Sequence, residues 1–452
     1  MLRKRMLVVL AVLAMLLPSA ISAQEAEGGF DFGLKLGIGA DTFYINDTIG
    51  YVTYQKLTVS PDIAFGKFGI GLELTLHYTF TDEADLGINQ PIRVEGDWIP
   101  DPALDQNYLD VYLPKFMYIR YGFKGDPLYA KLGSIEDGTL GNGFIMNNYD
   151  NTLFLPERRI FGLAFDLDGA LFNFPYLGLE TFVGNVARFD VIGARLYARP
   201  LAGTEIPLLK NLQVGTTFAM DTDPGLHMDL HPDLDTVYLY GADLRQPLLN
   251  SRAISLALFS DVAVLGNQSS VGGMVGIGGR LAGVILYGAQ IRVLGDNFVP
   301  VYFDSTYDLF RVEKHTVATA STTVVPAYTG WLASLGFSLF ADLLVFNASL
   351  DGPFRQSGTG NSQDWPHFFA QFIVGKGLVP NVSMELSYDK RNLAADVGFF
   401  QDLFSFADSV IQGRLNYSIG AAVLSLLYDI RWDPLQGKFI THSGIETAIE
   451  LF

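Results

Sequence analysis

The sequence predicts an all-β fold: a single closed antiparallel transmembrane β-barrel with about 18–20 strands, in a range of about 16–20. Three observations favour this fold class. Apolar residues alternate with polar residues or glycine over long segments. The composition is apolar and aromatic but low in charge. The connections between the segments are alternately short and long.

The composition excludes several classes of protein. Of the 452 residues, 49% are hydrophobic and 13% aromatic, while only 17% are charged, against about 25% in an average soluble protein. The chain has no cysteine, which excludes disulfide scaffolds, thiolate metal sites and cysteine nucleophiles. The formal net charge of −18 argues against nucleic acid as a partner, because phosphate binding needs local positive charge. No cofactor is predicted.

Residues 1–23 have the pattern of a signal peptide. A basic start, Arg3–Arg5, is followed by the apolar stretch Met6–Leu17 and by small residues at the end of the segment. This order is typical of a secretory signal that is removed on export. We therefore expect cleavage near Ala23 and a single barrel domain over residues 24–452.

Alternation along the chain predicts membrane-crossing strands. In Phe30–Ala40 and again in Phe68–Phe80 the even positions are apolar or aromatic, and the odd positions are glycine, polar or charged. Such alternation places one set on each face of a strand. A soluble β-sandwich also alternates. However, these segments are about 9–13 residues long, whereas ordinary strands average about 5–6 and tilted membrane strands need about 9–11.

Connection lengths give independent support. We place about 20 strands along the chain, close to the strand numbers of known outer-membrane barrels. Connections after even-numbered strands are mostly tight turns, such as 66–67, 124–127, Ala282 and 341–342. Connections after odd-numbered strands are mostly long: 81–113, 136–158, 222–235, 295–326, 352–366 and 391–408. Barrels of the outer membrane have short periplasmic turns and long external loops, so both chain ends are expected to be periplasmic.

With these features the chain resembles bacterial outer-membrane β-barrel proteins of porin-like type, as a pattern over residues 24–452. Phe452 is similar to the terminal aromatic residue of such barrels. In such barrels the strand face that carries the terminal aromatic residue is usually apolar, whereas here Phe452 shares its face with Glu446 and Glu450. We therefore expect either a bulge in the last strand or a looser match to the terminal pattern of these barrels. The resemblance implies an outer-membrane location, membrane lipid and small polar solutes as partners, and leaves a homo-oligomer open.

The predicted inward face carries charges of both signs and one tyrosine. The functional interpretation is a pore wall whose opposed charges orient polar solutes, and the alternative is a set of salt bridges that only hold the wall together. The predicted pore-lining residues are Glu73, Arg195, Tyr197, Arg199, Asp243, Arg292, Glu385, Asp389, Arg414, Asp429 and Arg431.

The connection 136–158 is less polar than a solvated loop should be. Its apolar residues include Phe144–Met146 and Leu153–Leu155, and apolar chain of this length is expected to pack against something. Similarity to porins implies that the loop folds into the barrel and narrows it. An apolar lid or a contact to a neighbouring subunit is the alternative. The acidic residues of the predicted constriction are Glu136, Asp137, Asp150 and Glu157.

The loops 81–113 and 222–235 are rich in acidic residues. We interpret 81–113 as a solvated surface loop, with cation bridging to surface glycans as an alternative, and for 222–235 the alternative is a metal site. In 222–235, Gly225 and Pro232 do not fit a calcium loop, and no metal site is predicted. The chain has no Gly-x-Ser-x-Gly motif and no histidine with an evident partner, so no catalytic residue is assigned and no enzyme is predicted.

The sequence therefore predicts an outer-membrane channel for passive or weakly selective diffusion of small hydrophilic solutes. A second hypothesis is a surface-exposed barrel whose acidic external loops mediate adhesion or partner binding. A third is a transporter for hydrophobic compounds. Ion conductance across a planar bilayer would separate the first two hypotheses.

Overall fold

The computed structural model describes most of the chain: residues 30–46, 50–79, 92–102, 106–155, 158–206, 208–226, 233–251, 253–361, 363–433 and 438–450. The predicted signal peptide, Glu157 and Phe452 lie outside the described residues.

Strands dominate the described chain. Twenty strands follow one another, one of them in two pieces. The first ten are β1 Phe30–Asn46, β2 Gly50–Phe65, β3 Phe68–Leu72 and Leu74–Tyr78, β4 Phe116–Tyr121, β5 Leu128–Gly133, β6 Gly162–Asp168, β7 Leu177–Val183, β8 Val191–Ala198, β9 Gln213–Asp221 and β10 Val237–Asn250. The second ten are β11 Ser255–Leu265, β12 Ser270–Leu281, β13 Ile285–Leu294, β14 Tyr328–Leu339, β15 Leu344–Pro353, β16 His367–Val379, β17 Val382–Lys390, β18 Ser409–Ile419, β19 Ala422–Asp433 and β20 Lys438–Glu450.

The strands close into one antiparallel barrel, which confirms the predicted fold class. Each strand pairs with its neighbours in the chain, and β1 also pairs with β20, with Lys35 opposite Glu450 and Thr42 opposite Ser443. Closure removes the free sheet edges that would otherwise expose unpaired backbone groups to lipid. The barrel has the strand number at the upper end of the predicted range.

Alternation decides which side chains face out. On β1 the outward Ile38 is 64% exposed, whereas Asp41 on the opposite face is buried inside the barrel. On β13 and β14 the outward Val293 and Leu335 are likewise exposed. An apolar outer surface around a polar interior is the arrangement expected of a strand cylinder in a bilayer.

The two ends of the barrel differ as the connection lengths predict. Tight turns such as 66–67, 282–284 and 420–421 join strands at one end, and the long segments 79–115, 134–161 and 295–327 join them at the other. The connection 199–212 is a long exception at the turn end. We call the two ends the turn end and the loop end.

The last strand has no bulge. β19 and β20 pair without a register shift from Asp433 opposite Lys438 to Ala422 opposite Ile449. Glu446 points into the barrel, where its carboxylate lies 3.3 Å from Lys56 Nζ. The bulge offered to explain the polar face of the last strand is therefore wrong, and that face is polar because it lines the interior.

Among the described residues, three α-helices lie in the loops: α1 Tyr108–Tyr112, α2 Tyr307–Thr319 and α3 Phe399–Leu403. The main hydrophobic core is inside the barrel and not between layers. It is built from inward strand residues such as Leu239 and Leu265 and from loop residues such as Phe303.

In the described part of the chain, we find no helix that combines the length and the apolar character needed to cross a membrane.

Candidate functional site: the bore of the barrel

One long loop folds into the barrel. Residues 134–161, which we call inward loop 1, bury Phe144, Met146 and Tyr149 almost completely. The tip reaches the middle of the wall: the Gly141 amide donates to Glu180 Oε2 at 3.0 Å, and Asn142 Nδ2 donates to Asp261 Oδ2 at 2.9 Å.

Glycine is required at that tip. Gly141 has a backbone φ of +60°, a conformation that residues other than glycine rarely adopt. A Cβ there would lie 2.8 Å from Arg195 Nε. The loop therefore approaches the charged wall as closely as backbone can.

A second loop lies beside the first. Residues 295–327, which we call inward loop 2, contain α2 and bury Phe298, Tyr302 and Phe303 completely. The Phe298 ring occupies the space over Gly272 of β12, where a Cβ would come within 2.4 Å of the ring. The inward fold of this loop was not predicted from the sequence.

The two inward loops hold each other. The Val301 amide donates to Phe144 O at 2.9 Å, and the Asn147 amide donates to Phe303 O at 3.0 Å. The Phe144 and Phe298 rings stack with centroids 5.6 Å apart. Backbone pairing and apolar contact make the two loops one packed body inside the barrel.

A buried ionic cluster fixes α2 to the wall. The Arg311 guanidinium donates to Asp221 Oδ2 and Asp190 Oδ2, both at 2.8 Å, and Tyr307 donates to Asp221 Oδ2 at 2.7 Å. Asp308 completes the cluster, with Arg311 3.8 Å away and the Tyr149 hydroxyl donating at 2.9 Å. Arg311 and the three carboxylates are fully or almost fully buried.

The loop carboxyls of this cluster have perturbed pKa values. Burial, reinforced by the charges of Asp190 and Asp221, raises the pKa of Asp308 to about 7. Burial and the neighbouring Asp221 also raise the pKa of Asp190. Three acids share one guanidinium, so Arg311 cannot neutralise all of them.

A second ionic group ties inward loop 2 to the loop after β17. Lys314 Nζ lies 2.6 Å and Arg391 Nη2 2.9 Å from Asp304 Oδ2. Burial raises the pKa of Asp304, but the two cations outweigh burial and hold that pKa far below its usual range. Burial and Arg391 lower the pKa of Lys314 to about 8.

The bore thus has two unequal halves. We call strands β6–β13 the packed half, because their inner face near the loop end is covered by both inward loops. Toward the turn end of this half, a cavity of about 460 Å³ opens between Gly141 and strands β10–β12. Strands β14–β20 and β1–β5 form the open half.

The open half encloses a cavity of about 690 Å³. Its lining extends from Lys376 and Ser418 near the turn end to Arg93 and Asp97 in the loop 79–115. A neighbouring cavity of about 410 Å³ shares Arg414 with it. The two cavities lie side by side along the wall of the open half.

The lining of the cavity of about 690 Å³ carries more basic than acidic residues, although the whole chain is strongly acidic. It includes nine Lys or Arg residues and seven Asp or Glu residues. The basic residues are Lys35, Lys56, Arg93, Lys115, Lys131, Arg158, Arg159, Lys376 and Arg414. The acidic residues are Asp41, Asp62, Glu73, Asp97, Asp110, Glu136 and Glu446.

Some predicted pore-lining residues lie in the packed half, where they are paired. Arg195 Nη2 lies 2.6 Å from Asp243 Oδ1 beneath the tip of inward loop 1. Arg199 forms a 2.6 Å pair with Asp168 near the turn end, and Tyr197 donates to the same carboxylate. These contacts fit the wall-bridge interpretation more closely than free pore charges.

Arg292 lies on β13 at the edge of the packed half, and the others lie in the open half. Arg292 pairs with Asp351 at 2.9 Å, and both residues line a cavity of about 140 Å³. Arg431 pairs with its strand neighbour Asp429 at 2.8 Å and lies over the Phe154 ring. The remaining predicted residues line the cavities of about 690 and 410 Å³: Glu73, Glu385, Asp389, Arg414 and Asp429.

The predicted constriction acids differ in environment. Glu136 and Asp137 face the 410 Å³ cavity. Asp150 also borders it, but its carboxylate accepts from the amide and hydroxyl of Thr152, both at 2.7 Å. Burial and the charge of Glu136 raise the pKa of Asp150 to about 7. A role of these acids in permeation stays a prediction.

The acidic loop 81–113 is less solvated than the sequence suggests, where it is described. Asp97 Oδ2 lies 2.8 Å from His77 Nδ1, and Asp110 Oδ2 lies 2.9 Å from Arg188. Among the described residues, no group of three metal-ligating side chains comes together. His227 and His231 of the loop 222–235 lie outside the described residues.

No family model matches the chain, and no curated protein matches it. Solved structures do. A BenF-like porin from Pseudomonas fluorescens Pf-5 is 8% identical, with 93% of this chain and 99% of that chain covered and a TM-score of 0.36. Pseudomonas aeruginosa OpdQ is 9% identical, with 94% and 98% covered and a TM-score of 0.35. Pseudomonas aeruginosa OpdL is 10% identical, with 94% and 99% covered and a TM-score of 0.33. Similarity at this level says nothing of the solute that this chain would pass.

Proposed function

We propose that this protein is an outer-membrane channel for the passive or weakly selective diffusion of small hydrophilic solutes. The observation that carries the proposal is the polar cavity of about 690 Å³ along the open half of the bore. A barrel of about 16–18 strands already leaves room for water in its lumen. The inward loops of this barrel occupy part of the lumen and leave the cavity of the open half for solutes to cross.

The route follows from the cavity lining. A solute would enter between Arg93 and Asp97 at the loop end and leave near Lys376 and Ser418 at the turn end. Between them it would pass Glu136 and Arg414, where the two large cavities adjoin. The narrowing favours small solutes, and the polar wall favours hydrophilic ones over the hydrophobic compounds of the third hypothesis.

Charge in the cavity of about 690 Å³ supports a weak preference for anions. Nine basic residues against seven acidic ones line it, while the whole chain has a formal net charge of −18. The excess of positive charge is local to this cavity, where it acts on a permeating ion at short range, whereas two basic and six acidic residues line the adjoining cavity of about 410 Å³. Acidic residues such as Asp41 and Glu446 pair with Lys56 and so keep the preference weak.

The location belongs to the same proposal. The expected signal peptide exports the chain, and the apolar outer surface of the barrel then requires a membrane. Long loops at one end and short turns at the other are typical of barrels whose loops face outward. This orientation puts the inward loops at the outer mouth of the channel, and the protein performs no chemistry on its solute.

Reconstitution into a planar bilayer tests the proposal. We expect stepwise conductance in potassium chloride, and, under a salt gradient, a reversal potential that indicates chloride preference. Liposome swelling should show entry of small uncharged sugars and exclusion of large ones. A barrel that inserts but conducts nothing would refute the channel and favour the binding role of the external loops.

A further inference from the structure

One loop folds to the outside of the barrel. The loop 391–408 follows β17, whose Asp389 points inward to accept from Ser305 of inward loop 2 at 3.1 Å. Because side chains alternate along a strand, Tyr388 and Lys390 point to the outer face of the wall. Both residues hold the loop.

Their contacts place the loop against the outer wall. The Tyr388 hydroxyl donates to Leu403 O at 2.9 Å and to Ser405 O at 3.1 Å. Lys390 Nζ lies 2.8 Å from Asp402 Oδ1 and also donates to Ala407 O. Lys390 is only 1% exposed, so the loop covers an outward-facing charge that would otherwise meet lipid.

The covering segment turns its own apolar side away from the barrel. Phe400 is 76%, Phe404 79% and Phe406 54% exposed. Phe400 lies in α3 and Phe404 is the residue that follows the helix, four positions later, which is about one helical turn. We call residues 399–406 the aromatic flap.

The aromatic flap presents no free charge. Its single charged residue is Asp402, which is 7% exposed. That carboxylate is paired with Lys390 and accepts from the Ala394 amide at 2.7 Å. The outer surface of the flap is therefore made mainly of phenylalanine rings.

We propose that the aromatic flap inserts its phenylalanines among the acyl chains of the leaflet at the loop end. The flap rests on the same outer wall whose strand residues Leu386 and Leu415 are exposed and apolar, so its surface continues the lipid-facing band. Phenylalanine has no polar group to keep at the water boundary, unlike the tyrosine and tryptophan of interfacial girdles. The two charged groups beneath the flap, Lys390 and Asp402, neutralise each other.

The absence of cysteine from the chain permits a direct test. Phe404→Cys carries a nitroxide spin label, and the full-length barrel is reconstituted into phosphatidylcholine–phosphatidylglycerol vesicles with a water-soluble nickel chelate on both sides. Electron paramagnetic resonance power saturation then compares collision with oxygen, which concentrates in lipid, and with the chelate. Leu415→Cys on β18 is the lipid reference, and Gln356→Cys in the exposed loop 354–366 is the water reference.

We expect the label at 404 to match the label at 415, with strong oxygen and weak nickel collision. A label that matches position 356 would place the flap in water and overturn the proposal. A label shielded from both agents would overturn it in favour of contact with a second copy of the chain. Single-channel conductance of the same variant should equal that of the parent, which separates this inference from the channel proposal.

Discussion

The two halves of the bore are built on the same kind of wall and differ in what covers it. Near the loop end, the inner face of the packed half carries residues such as Val237, Leu239 and Leu265, and the inward loops bury them. The corresponding face of the open half carries Lys56 and His77, among others, and water can reach the cavity beside them.

This difference indicates that the open cross-section of the bore depends on the residues of the inner strand face and not on barrel size alone. Strand number fixes an upper limit on the bore. Apolar inner positions then attract the loops by the hydrophobic effect, since leaving them wet costs free energy. Charged inner positions keep the other side open. Each prediction below would break or sharpen this contrast between the halves.

Removing inward loop 2 should have the largest effect. Deleting 301–320 with a short Gly-Ser replacement takes away α2 and exposes the inner face of the packed half. We expect single-channel conductance to rise roughly twofold, because an unobstructed barrel of this size holds a wide aqueous lumen. Deleting 357–360 from the exposed loop 354–366 is the matched control and should change nothing. Unchanged conductance after the first deletion would show that inward loop 2 does not obstruct flow.

Replacing the central arginine should loosen the same loop without shortening it. Arg311→Met leaves Asp190 and Asp221 buried with no cation, and removal of one partner from a buried ionic group costs about 3–5 kcal/mol. We expect frequent transitions to larger conductance in bilayer recordings. Arg355→Met makes the same replacement at an exposed position and should record like the parent. If the Arg311→Met channel showed no more transitions to larger conductance than the parent, the ionic cluster would not hold inward loop 2 in place.

Charge reversal in the open half should alter selectivity and leave conductance steps intact. Lys131→Glu with Arg414→Glu turns the basic excess of the cavity lining into an acidic one. One unit charge acts on an ion 4 Å away in water with about 1 kcal/mol, and salt weakens this. We expect the reversal potential to change sign toward potassium. The same reversals at exposed Lys210 and Arg355 should not change the sign, and an unmoved potential in the first variant would remove Arg414 from the pore-lining set.

The smallest effect that we expect is a dependence of the opening transitions on pH. The pKa of Asp308 is raised to about 7 in the packed loops, whereas the ordinary pKa of an aspartate is 3.8. The docked loop therefore binds a proton more tightly than a released loop, and its docking free energy weakens as pH rises from about 4 through 7. We expect more opening transitions at pH 8 than at pH 5.

Asp308→Asn should reduce this pH dependence, because the amide keeps an acceptor for Tyr149 but does not ionise. Asp396→Asn, at an exposed position of the loop 391–408, is the matched control. Equal pH dependence in parent and Asp308→Asn would assign the effect to other groups, such as Asp150, whose pKa is also about 7.

The fold was largely readable from the sequence because strand alternation is local. Each strand needs only its own period of two to show which face is lipid-facing. On β19 the exposed Tyr428 alternates with the buried Asp429 and Arg431, as the sequence predicts. The expected strand 68–80 is less regular: β3 is interrupted at Glu73, whose amide donates to Lys115 O instead of the neighbouring strand. That bond comes from a distant loop, which no local pattern contains.

The site was harder to predict because pairing between charges is not local. Arg195 and Asp243 are each recognisable as inward, but their contact under Gly141 depends on where inward loop 1 ends. Inward loop 2 carried the same signal as inward loop 1: Phe298, Tyr302 and Phe303 are too apolar for a solvated loop. The aromatic flap carries it as well and folds the other way, so apolar content alone cannot tell an inward loop from an outward one.

The pairing of β1 with β20, the seam of the barrel, implies that the chain can be circularly permuted. These two strands lie side by side and run antiparallel, with Lys35 opposite Glu450, while Lys56 of β2 bridges Asp41 and Glu446 across them. A circularly permuted chain, joined across this seam and opened within 357–360, would keep every neighbour of every strand. The ring has no privileged starting hairpin, and its order of assembly could be altered while its final geometry stayed the same.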